Sequence, residues 1–234
     1  MKVALVTQLF PPEFAGGTER VVRAQARGLA ARGHEVLVVC GSEQPHEGRD
    51  VAWDRHGRIE VARLPRKLDE PFDLALARPR LERVACGLVE GCDVAHVHHW
   101  TTLSSGLVRA LSAETPVVVT LHDAFSACPR SFRSPPDPGV RCPQGVGHVP
   151  CVRCLLPDAG GLDEPELVAG LRSRAEAFAG EIVAASAVLA PSRFQALRME
   201  AVLGLTPGTV EVLPHGLCRV LGRYFDYAGA LAAT

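Results

Sequence analysis

The first forty residues contain two short apolar runs separated by a loop and an amphipathic segment. Residues 3–6 are an uninterrupted apolar run, which is typical of a strand buried on both faces of a sheet. Thr18 is predicted to cap a helix that ends at Gly33, and residues 36–39 are predicted to form a second buried strand. The apolar residues of that helix recur at helical spacing: Val22, Ala26, Leu29 and Ala30. A strand, a helix and a strand in this order predict a parallel sheet.

The alternation of strand and helix patterns continues along the chain. Further strands are predicted at residues 59–62, 94–98, 117–119, 188–190 and 210–213. Helices are predicted at residues 72–89, 103–111 and 167–183 and from Ser192 onward, and Pro79 is expected to break or kink the first of these. The fold class is therefore α/β, a doubly wound, mostly parallel Rossmann-like sheet in a single domain over residues 1–216. Residues 124–157, rich in proline and cysteine, are predicted to be an insertion.

Composition and charge exclude several classes of partner. The 234-residue chain has 25 Lys and Arg residues against 26 Asp and Glu residues, so its net charge of −1 provides no field for non-specific nucleic-acid binding. No apolar run approaches the roughly 20 residues that span a bilayer, and the first residues do not have the pattern of a secretory signal. We therefore expect a cytoplasmic protein.

Four separate segments are expected to meet at one edge of the sheet, because ligands of open α/β sheets bind in the crevice beyond the carboxyl ends of the strands. These segments are the loop 8–17, His98-His99-Trp100, Leu121-His122-Asp123 and Ser192-Arg193. Trp100 and Phe125 offer aromatic rings on which an acceptor could stack. His99, Trp100, Ser192 and Arg193 are accordingly candidate substrate-binding residues.

The sequence Gly16-Gly17-Thr18-Glu19 places two flexible residues just before a helix. Free N–H groups and the positive end of the helix dipole at such a terminus can hold an anion, and the chemistry fits a diphosphate. The alternative is that Gly16 and Gly17 only permit a tight entry into the helix. The dinucleotide fingerprint G-x-G-x-x-G is absent, which argues against a dehydrogenase.

Histidines stand at the ends of two predicted strands. Period-two alternation puts His96 and His98 on one face of their strand and His99 on the other. These histidines have either a structural role or a place in the crevice, and His99 is the better candidate for the crevice. His122 directly follows the central strand, where it can bind or polarise a substrate hydroxyl. The adjacent Asp123 can serve as a base or cap the next turn. His122 and Asp123 are the candidate catalytic residues.

Four cysteines lie within or at the end of the proline-rich segment: Cys128, Cys142, Cys151 and Cys154. Such a segment is expected to lack a hydrophobic core of its own, and four thiolates suit a structural zinc ion. Disulfides are the alternative, and a catalytic zinc is not expected because four cysteines leave no open coordination position.

The first predicted helix also carries a basic stripe formed by Arg20, Arg23 and Arg27 on the side away from its apolar face. Such a stripe is either a solvated helix face or a peripheral contact with anionic head groups at the inner face of the membrane.

An ordered set of short motifs resembles one known family. The motifs are Lys2-Val3-Ala4-Leu5-Val6, Pro11-Pro12, Gly16-Gly17-Thr18-Glu19, Gly33-His34-Glu35-Val36, Asp93-Val94-Ala95-His96-Val97-His98, Leu121-His122-Asp123, Ala190-Pro191-Ser192 and Val212-Leu213-Pro214-His215-Gly216. Together they resemble the N-terminal domain of the family-four-type retaining glycosyltransferases, which have the GT-B fold. The cysteine-rich segment is similar to an insertion found in a subset of these enzymes.

The resemblance implies a role for the domain and for several residues. In that family the N-terminal domain holds the acceptor and faces a second domain that holds a nucleotide-activated sugar. Gly16, Gly17 and Glu19 are candidate substrate-binding residues. The resemblance implies that Gly16 and Gly17 approach the donor diphosphate and that His122 contacts the donor sugar. No metal or other cofactor is required for this chemistry, so zinc would be purely structural.

The chain departs from the family pattern after the predicted junction near Gly216. Only residues 217–234 follow, whereas a second domain needs roughly another 150 residues, and His215 stands where the family usually has Asn. We therefore expect the acceptor-binding half of a glycosyltransferase, acting on a glycan, a lipid-linked sugar or a small molecule, and inactive without a donor domain. The alternative is a non-catalytic α/β binding module with a zinc-stapled recognition segment.

Overall fold

The computed structural model describes residues 1–44, 46–66, 77–100, 102–130, 142 and 148–215. The strands in these ranges are β1 (Lys2–Thr7), β2 (Glu35–Ser42), β3 (Ala52–His56), β4 (Ile59–Pro65), β5 (Val94–Val97), β6 (Val117–Thr120), β7 (Ala187–Ala190) and β8 (Val210–Val212). The helices are α1 (Gly17–Ala31), α2 (Pro79–Val89), α3 (Leu107–Ser112), α4 (His148–Leu155), α5 (Glu164–Ala184) and α6 (Arg193–Leu203). The expected α/β fold class is confirmed.

The strands form one sheet in the order β3-β4-β2-β1-β5-β6-β7-β8. Every neighbouring pair is parallel except β3 and β4. The chain first builds outward from β1 through β2 to β4, and then crosses back so that β5 pairs with the other side of β1. This reversal places a switch point at the carboxyl ends of β1 and β5, which is where sheets of this kind bind their ligands.

Both faces of the sheet are covered, as the apolar run of β1 predicts. Val3 and Leu5 pack into one cluster with Val22 and Ala26 of α1. Ala4 and Val6 face the opposite side and join a larger cluster that includes residues of α2, α3, α5 and α6. Alternate residues of one strand thus serve two cores, which explains why β1 shows no polar alternation.

Several predicted helix starts differ from the structure. Gly16, and not Thr18, is the N-cap of α1, and it makes no side-chain capping hydrogen bond. α2 begins at Pro79 and is not kinked there, because the first position of a helix needs no N–H donor. The residues before it, 67–76, lie outside the described part of the chain, as do residues 216–234 and with them the predicted tail 217–234.

The start of α3 is set by another helix. Glu181 of α5 is fully buried, and its carboxylate accepts hydrogen bonds from the backbone N–H groups of Val108 (2.6 Å) and Arg109 (3.2 Å). These are N–H groups of the first turn, which have no partner within their own helix. The helix predicted from residue 103 therefore begins at Leu107. Burial raises the pKa of Glu181 to about 7, although the hydrogen bonds from Val108 and Arg109 act in the opposite direction.

Candidate active site

The carboxyl ends of β1, β5 and β6 bring two histidines together. The backbone N–H of His98 donates to the carbonyl of Val6 at 2.8 Å, so His98 lies level with the end of β1. Nδ1 of His98 is 2.9 Å from Nε2 of His122, which follows β6. The predicted His122 position is thus at the switch point, where its ring meets that of His98.

Four imidazole rings form a continuous row, here called the histidine row: His96, His98, His122 and His215. His96 and His98 stack with ring centroids 4.0 Å apart, as expected for two residues on one face of a strand. His122 and His215 stack at 4.7 Å, and Nδ1 of His122 is 3.0 Å from Nε2 of His215. Both ring nitrogens of His122 are therefore engaged by other histidines.

The rings of this row are neutral at pH 7. Burial lowers the pKa of His122 to about 3, and His215 and His99 lower it further, whereas Asp123 raises it. Burial also lowers the pKa of His96 to about 4 and that of His98 well below its ordinary value. A neutral imidazole donates one hydrogen bond and accepts one, so His122 is equipped to bind a hydroxyl group and not to pair with an anion as a cation.

Asp123 makes the contact of a turn-capping residue. Its Oδ1 accepts a 2.8 Å hydrogen bond from the backbone N–H of Phe125, and its Oδ2 is 3.6 Å from Nε2 of His99. Of the two roles that the sequence leaves open, capping has a visible hydrogen bond here. A role of Asp123 as a base remains a prediction.

The prediction that Trp100 and Phe125 offer rings to a substrate is wrong. Both side chains are fully buried, and their rings meet edge to face with centroids 4.7 Å apart in the larger core cluster. His99 is also buried and lies with its ring centroid 4.0 Å from that of Phe125. The chain turns after β5, so a residue adjacent to the strand end packs into the core below the edge. Sequence reasoning missed the pairing of His98 with His122. The only sequence signal for it is that two adjacent strands are each followed by a histidine.

The glycine pair has two different environments. A Cβ atom at Gly16 would lie 2.6 Å from Oε2 of Glu19 and 2.8 Å from the ring of Phe14, so a side chain at this position would require these two side chains to move. A Cβ atom at Gly17 would meet nothing within 4 Å, so the N-terminus of α1 is open there. Glu19 is buried, and a role in binding substrate remains a prediction.

The loop between β1 and α1 is held by a buried arginine that sequence reasoning also missed. Arg63 of β4 donates to the carbonyl oxygens of Phe10 (3.2 Å) and Pro11 (2.9 Å), and it pairs with Glu13 at 3.3 Å. No sequence signal marks Arg63, because an arginine within a strand is normally an exposed residue.

A cavity of about 310 Å³ opens beside this loop at the carboxyl edge. It is lined by Gln8, Leu9, Glu13, Phe14, Glu43, Gln44 and Arg66. Arg66 donates to Glu43 and, at 3.1 Å, to the hydroxyl of Thr102. The lining offers both hydrogen-bond donors and acceptors, which suits a small polar molecule.

Ser192 and Arg193 stand at the start of α6, as predicted. The hydroxyl of Ser192 accepts a 3.2 Å hydrogen bond from the backbone N–H of Gln195 and is the N-cap, while Arg193 is exposed. Nε2 of Gln195 donates to the carbonyl oxygen of Asp123 at 2.7 Å, which ties the N-terminus of α6 to the loop after β6. A role of Ser192 and Arg193 in binding substrate remains a prediction.

The expectation of a zinc site in the cysteine-rich segment is not supported. Among the described residues, which include Cys128, Cys142, Cys151 and Cys154, no group of three or more potential ligands is arranged to hold a metal ion, and no disulfide joins them. Cys151 and Cys154 lie on α4, which packs against α5 through a small apolar cluster of Val152, Leu155, Ala159, Leu167 and Leu171. This part of the segment is therefore packed in a hydrophobic cluster that it shares with residues outside the segment.

The basic stripe is exposed on α1, opposite the buried residues of that helix. Arg20, Arg23 and Arg27 all face away from the sheet, and a contact with a membrane surface remains a prediction. No helix within the described ranges is long and apolar enough to cross a bilayer.

These features define a Rossmann-like domain of the kind that forms one half of a GT-B glycosyltransferase, with an open helix terminus and polar side chains at the switch point. The chain belongs to glycosyltransferase family 4, because the model of that family matches residues 15–218. The family resemblance seen in the sequence is confirmed. Membership of the subset with a cysteine-rich insertion remains a prediction.

Characterised and uncharacterised relatives agree with this placement. An uncharacterized glycosyltransferase of Methanocaldococcus jannaschii is 29% identical over 127 residues, which are 52% of this chain and 31% of the relative. A glycogen synthase of Mycobacterium tuberculosis is 27% identical over 138 residues, which are 52% of this chain and 33% of the relative. The match thus spans about a third of the length of these relatives.

Solved structures share the fold. Sucrose-phosphate synthase from Thermosynechococcus elongatus superimposes with a TM-score of 0.57 at 18% identity, covering 94% of this chain and 49% of the other. A trehalose-6-phosphate structure from E. coli, bound with UDP-2-fluoro glucose, has a TM-score of 0.55 at 13% identity and covers 100% of this chain and 54% of the other. In both, the likeness extends over about half of the neighbouring chain.

Proposed function

We propose that this chain is the acceptor-side half of a glycosyltransferase that moves a sugar from a nucleotide-sugar donor to a glycan, lipid-linked or small-molecule acceptor. The observation that carries the proposal is that His122, a neutral and largely buried histidine, lies at the switch point of a family-4 domain. A donor-binding domain is proposed in addition, because the likeness to the neighbouring GT-B structures extends over only about half of each of those chains.

The roles of the residues follow from their chemistry. The open terminus of α1 at Gly17 receives one oxygen of the donor diphosphate, since free N–H groups there favour an anion. His122 binds a hydroxyl of the donor sugar, which a neutral imidazole can do by donating or accepting. A pKa near 3 makes His122 a poor proton-transfer group at pH 7, so its role is binding and orientation.

The acceptor is proposed to bind in the cavity between the β1–α1 loop and Arg66. Its volume of about 310 Å³ suits one sugar ring, and its lining of carboxylate, amide and guanidinium groups suits hydroxyls. Nucleotide glucose is the donor class to test first, because the E. coli neighbour is bound with UDP-2-fluoro glucose.

The test has two arms. First, the purified chain is incubated with a panel of nucleotide sugars and candidate acceptors, and mass spectrometry is expected to show no transfer. Turnover by the chain alone would refute the need for a donor domain. Second, the acceptor panel is titrated into ¹⁵N-labelled chain, and the amides of Gln8, Phe14 and Glu43 are expected to shift. Shifts confined to α4 and α5 would instead favour a binding module that recognises a partner through the insertion.

A further inference from the structure

His98 has one satisfied and one unsatisfied ring nitrogen. Its Nδ1 faces Nε2 of His122 at 2.9 Å, whereas its own Nε2 is buried and has no hydrogen-bond partner among the described residues. The side chain is almost completely removed from solvent, at 2% exposure. With a pKa well below the ordinary value, the ring carries a single proton at neutral pH.

The position of that proton follows from the unsatisfied nitrogen. A buried N–H without an acceptor is rare in folded proteins, and an under-satisfied acceptor is somewhat less rare, so we place the unsatisfied site of His98 on an acceptor nitrogen. The proton of His98 is therefore on Nδ1, where it has an acceptor within 2.9 Å. That acceptor is Nε2 of His122, which must then be unprotonated.

We propose that His98 is a positioning residue that donates from Nδ1 to Nε2 of His122 and thereby fixes the single ring proton of His122 on Nδ1, facing the cleft. In this structure Nε2 of His215 lies 3.0 Å from Nδ1 of His122 and, on this assignment, accepts its hydrogen bond. The assignment of a ligand rests on the proposed function: a hydroxyl or ring oxygen of the bound sugar takes the place of the His215 ring. His122 is thus a directed hydrogen-bond donor and not an interchangeable donor or acceptor.

The surroundings of His98 hold its ring in the required orientation. Its ring stacks on that of His96 with centroids 4.0 Å apart. The His96 ring is itself fixed at both nitrogens, because Nε2 of Gln25 donates to its Nδ1 at 2.8 Å and its Nε2 donates to the hydroxyl of Thr120 at 2.7 Å. The chain of contacts therefore runs from Gln25 on α1 through two stacked rings to His122.

The same contacts explain why the tautomer of His122 does not depend on His215 alone. Nε2 of His215 can accept a hydrogen bond from His122. His215 itself follows β8 and is exposed, so its side chain is less constrained than that of His98. His98 is held by the backbone hydrogen bond to Val6 and by its stacking partner. Removal of His215 is therefore expected to leave the tautomer of His122 unchanged, and removal of His98 is not.

The experiment is a determination of histidine tautomers by ¹⁵N NMR of the chain with ¹⁵N-labelled histidine at pH 7.5, with the His122 signals assigned by their loss in His122→Gln. The His122 ring is expected to be in the Nδ1–H form, both in the native chain and in His215→Ala. In the double variant His215→Ala, His98→Leu the Nε2–H form is expected to appear. His98→Asn, whose amide N–H lies near the position of Nδ1, is expected to restore the Nδ1–H form.

Two outcomes overturn the proposal. One is an Nε2–H tautomer of His122 in the native chain, a result that needs no variant to fold. The other is an unchanged Nδ1–H tautomer after the loss of both His215 and His98. His56→Leu, on the opposite edge strand β3, is the matched control and is expected to leave His122 unaffected. None of these readouts depends on glycosyl transfer, so they fail independently of the proposed function.

Discussion

Arg63 and Pro11 are joined by a 2.9 Å hydrogen bond from the buried guanidinium to the backbone carbonyl oxygen, which fastens the β1–α1 loop to β4. The same guanidinium bonds to the carbonyl of Phe10 and pairs with Glu13, so one side chain satisfies three acceptors of the loop. This loop supplies one wall of the cavity of about 310 Å³ and leads into the open terminus of α1.

Replacement of this arginine is expected to be strongly destabilising. Arg63→Met removes the cation that pairs with Glu13 and the donor to two buried carbonyl groups, and breaking a buried pair of this kind costs about 3–5 kcal/mol. Urea unfolding measures the loss. Arg55→Met is the control, because Arg55 forms an exposed pair with Glu60 and such pairs contribute about 0–1 kcal/mol. Equal effects of the two substitutions would contradict the anchoring role.

The two glycines before α1 are expected to respond differently to alanine. Gly16→Ala places a Cβ atom 2.6 Å from the buried carboxylate of Glu19 and is expected to cost about 1–3 kcal/mol as an overpacking substitution. Gly17→Ala meets no neighbour and is expected to be neutral or slightly stabilising, since alanine is the better helix former. Thermal unfolding distinguishes them, and a larger loss for Gly17→Ala would contradict the geometry.

The packing of α4 on α5 is expected to hold the cysteine-rich segment without a metal ion. Leu155→Ala removes a fully buried side chain from that cluster and is expected to cost about 2–5 kcal/mol locally. Hydrogen exchange of the α4 amides measures the loss of stability. Treatment of the unsubstituted chain with a chelator is expected to leave the exchange rates of these amides unaltered.

The neighbouring residue provides the control for this prediction. Leu156 is 41% exposed, so Leu156→Ala is expected to change exchange of the α4 amides little. Faster exchange after chelation, at unchanged sequence, would show that a metal ion contributes to the stability of the segment.

The histidine row is expected to make stability fall as the solution is acidified. The pKa of His96 is about 4 and that of His122 about 3 in the folded chain, against an ordinary value of 6.5, so the unfolded chain binds protons that the folded chain does not. The contribution of these histidines to the free energy of unfolding is fully present above pH 6.5, and it is lost as the pH falls toward their pKa values in the folded chain. Each unit of pKa difference corresponds to about 1.4 kcal/mol.

One carboxyl group opposes this trend. The raised pKa of Glu181, about 7, means that its protonation stabilises the folded chain as the pH falls from 7, but it is one group against several histidines. Chemical unfolding at a series of pH values between 7.5 and 4 is expected to show a net loss of several kcal/mol. A free energy of unfolding that stays constant or rises over this interval would disprove the effect of the row.

Most of the sheet could be predicted from sequence because most of its strands are short apolar runs. The seven strands predicted or implied by apolar runs at β1, β2, β4, β5, β6, β7 and β8 stand out from their polar flanks. β3 was missed, because Trp53, Asp54, Arg55 and His56 lie on an exposed edge strand and carry no apolar alternation. Its antiparallel pairing with β4 depends on a two-residue turn at Gly57 and Arg58, which a pattern of burial does not reveal.

Sequence order alone determined which residues stand at strand ends, and hence that the loop 8–17, His98, His122 and Ser192 share one edge. It also put His96 and His98 on one face, because side chains alternate along a strand. Which neighbour each side chain meets was decided only by the tertiary structure: Trp100 turns into the core, Glu181 of α5 starts α3, and Arg63 holds a loop fifty residues away in sequence. These contacts join elements that are distant along the chain, and they depend on packing, which local patterns of hydrophobicity do not encode.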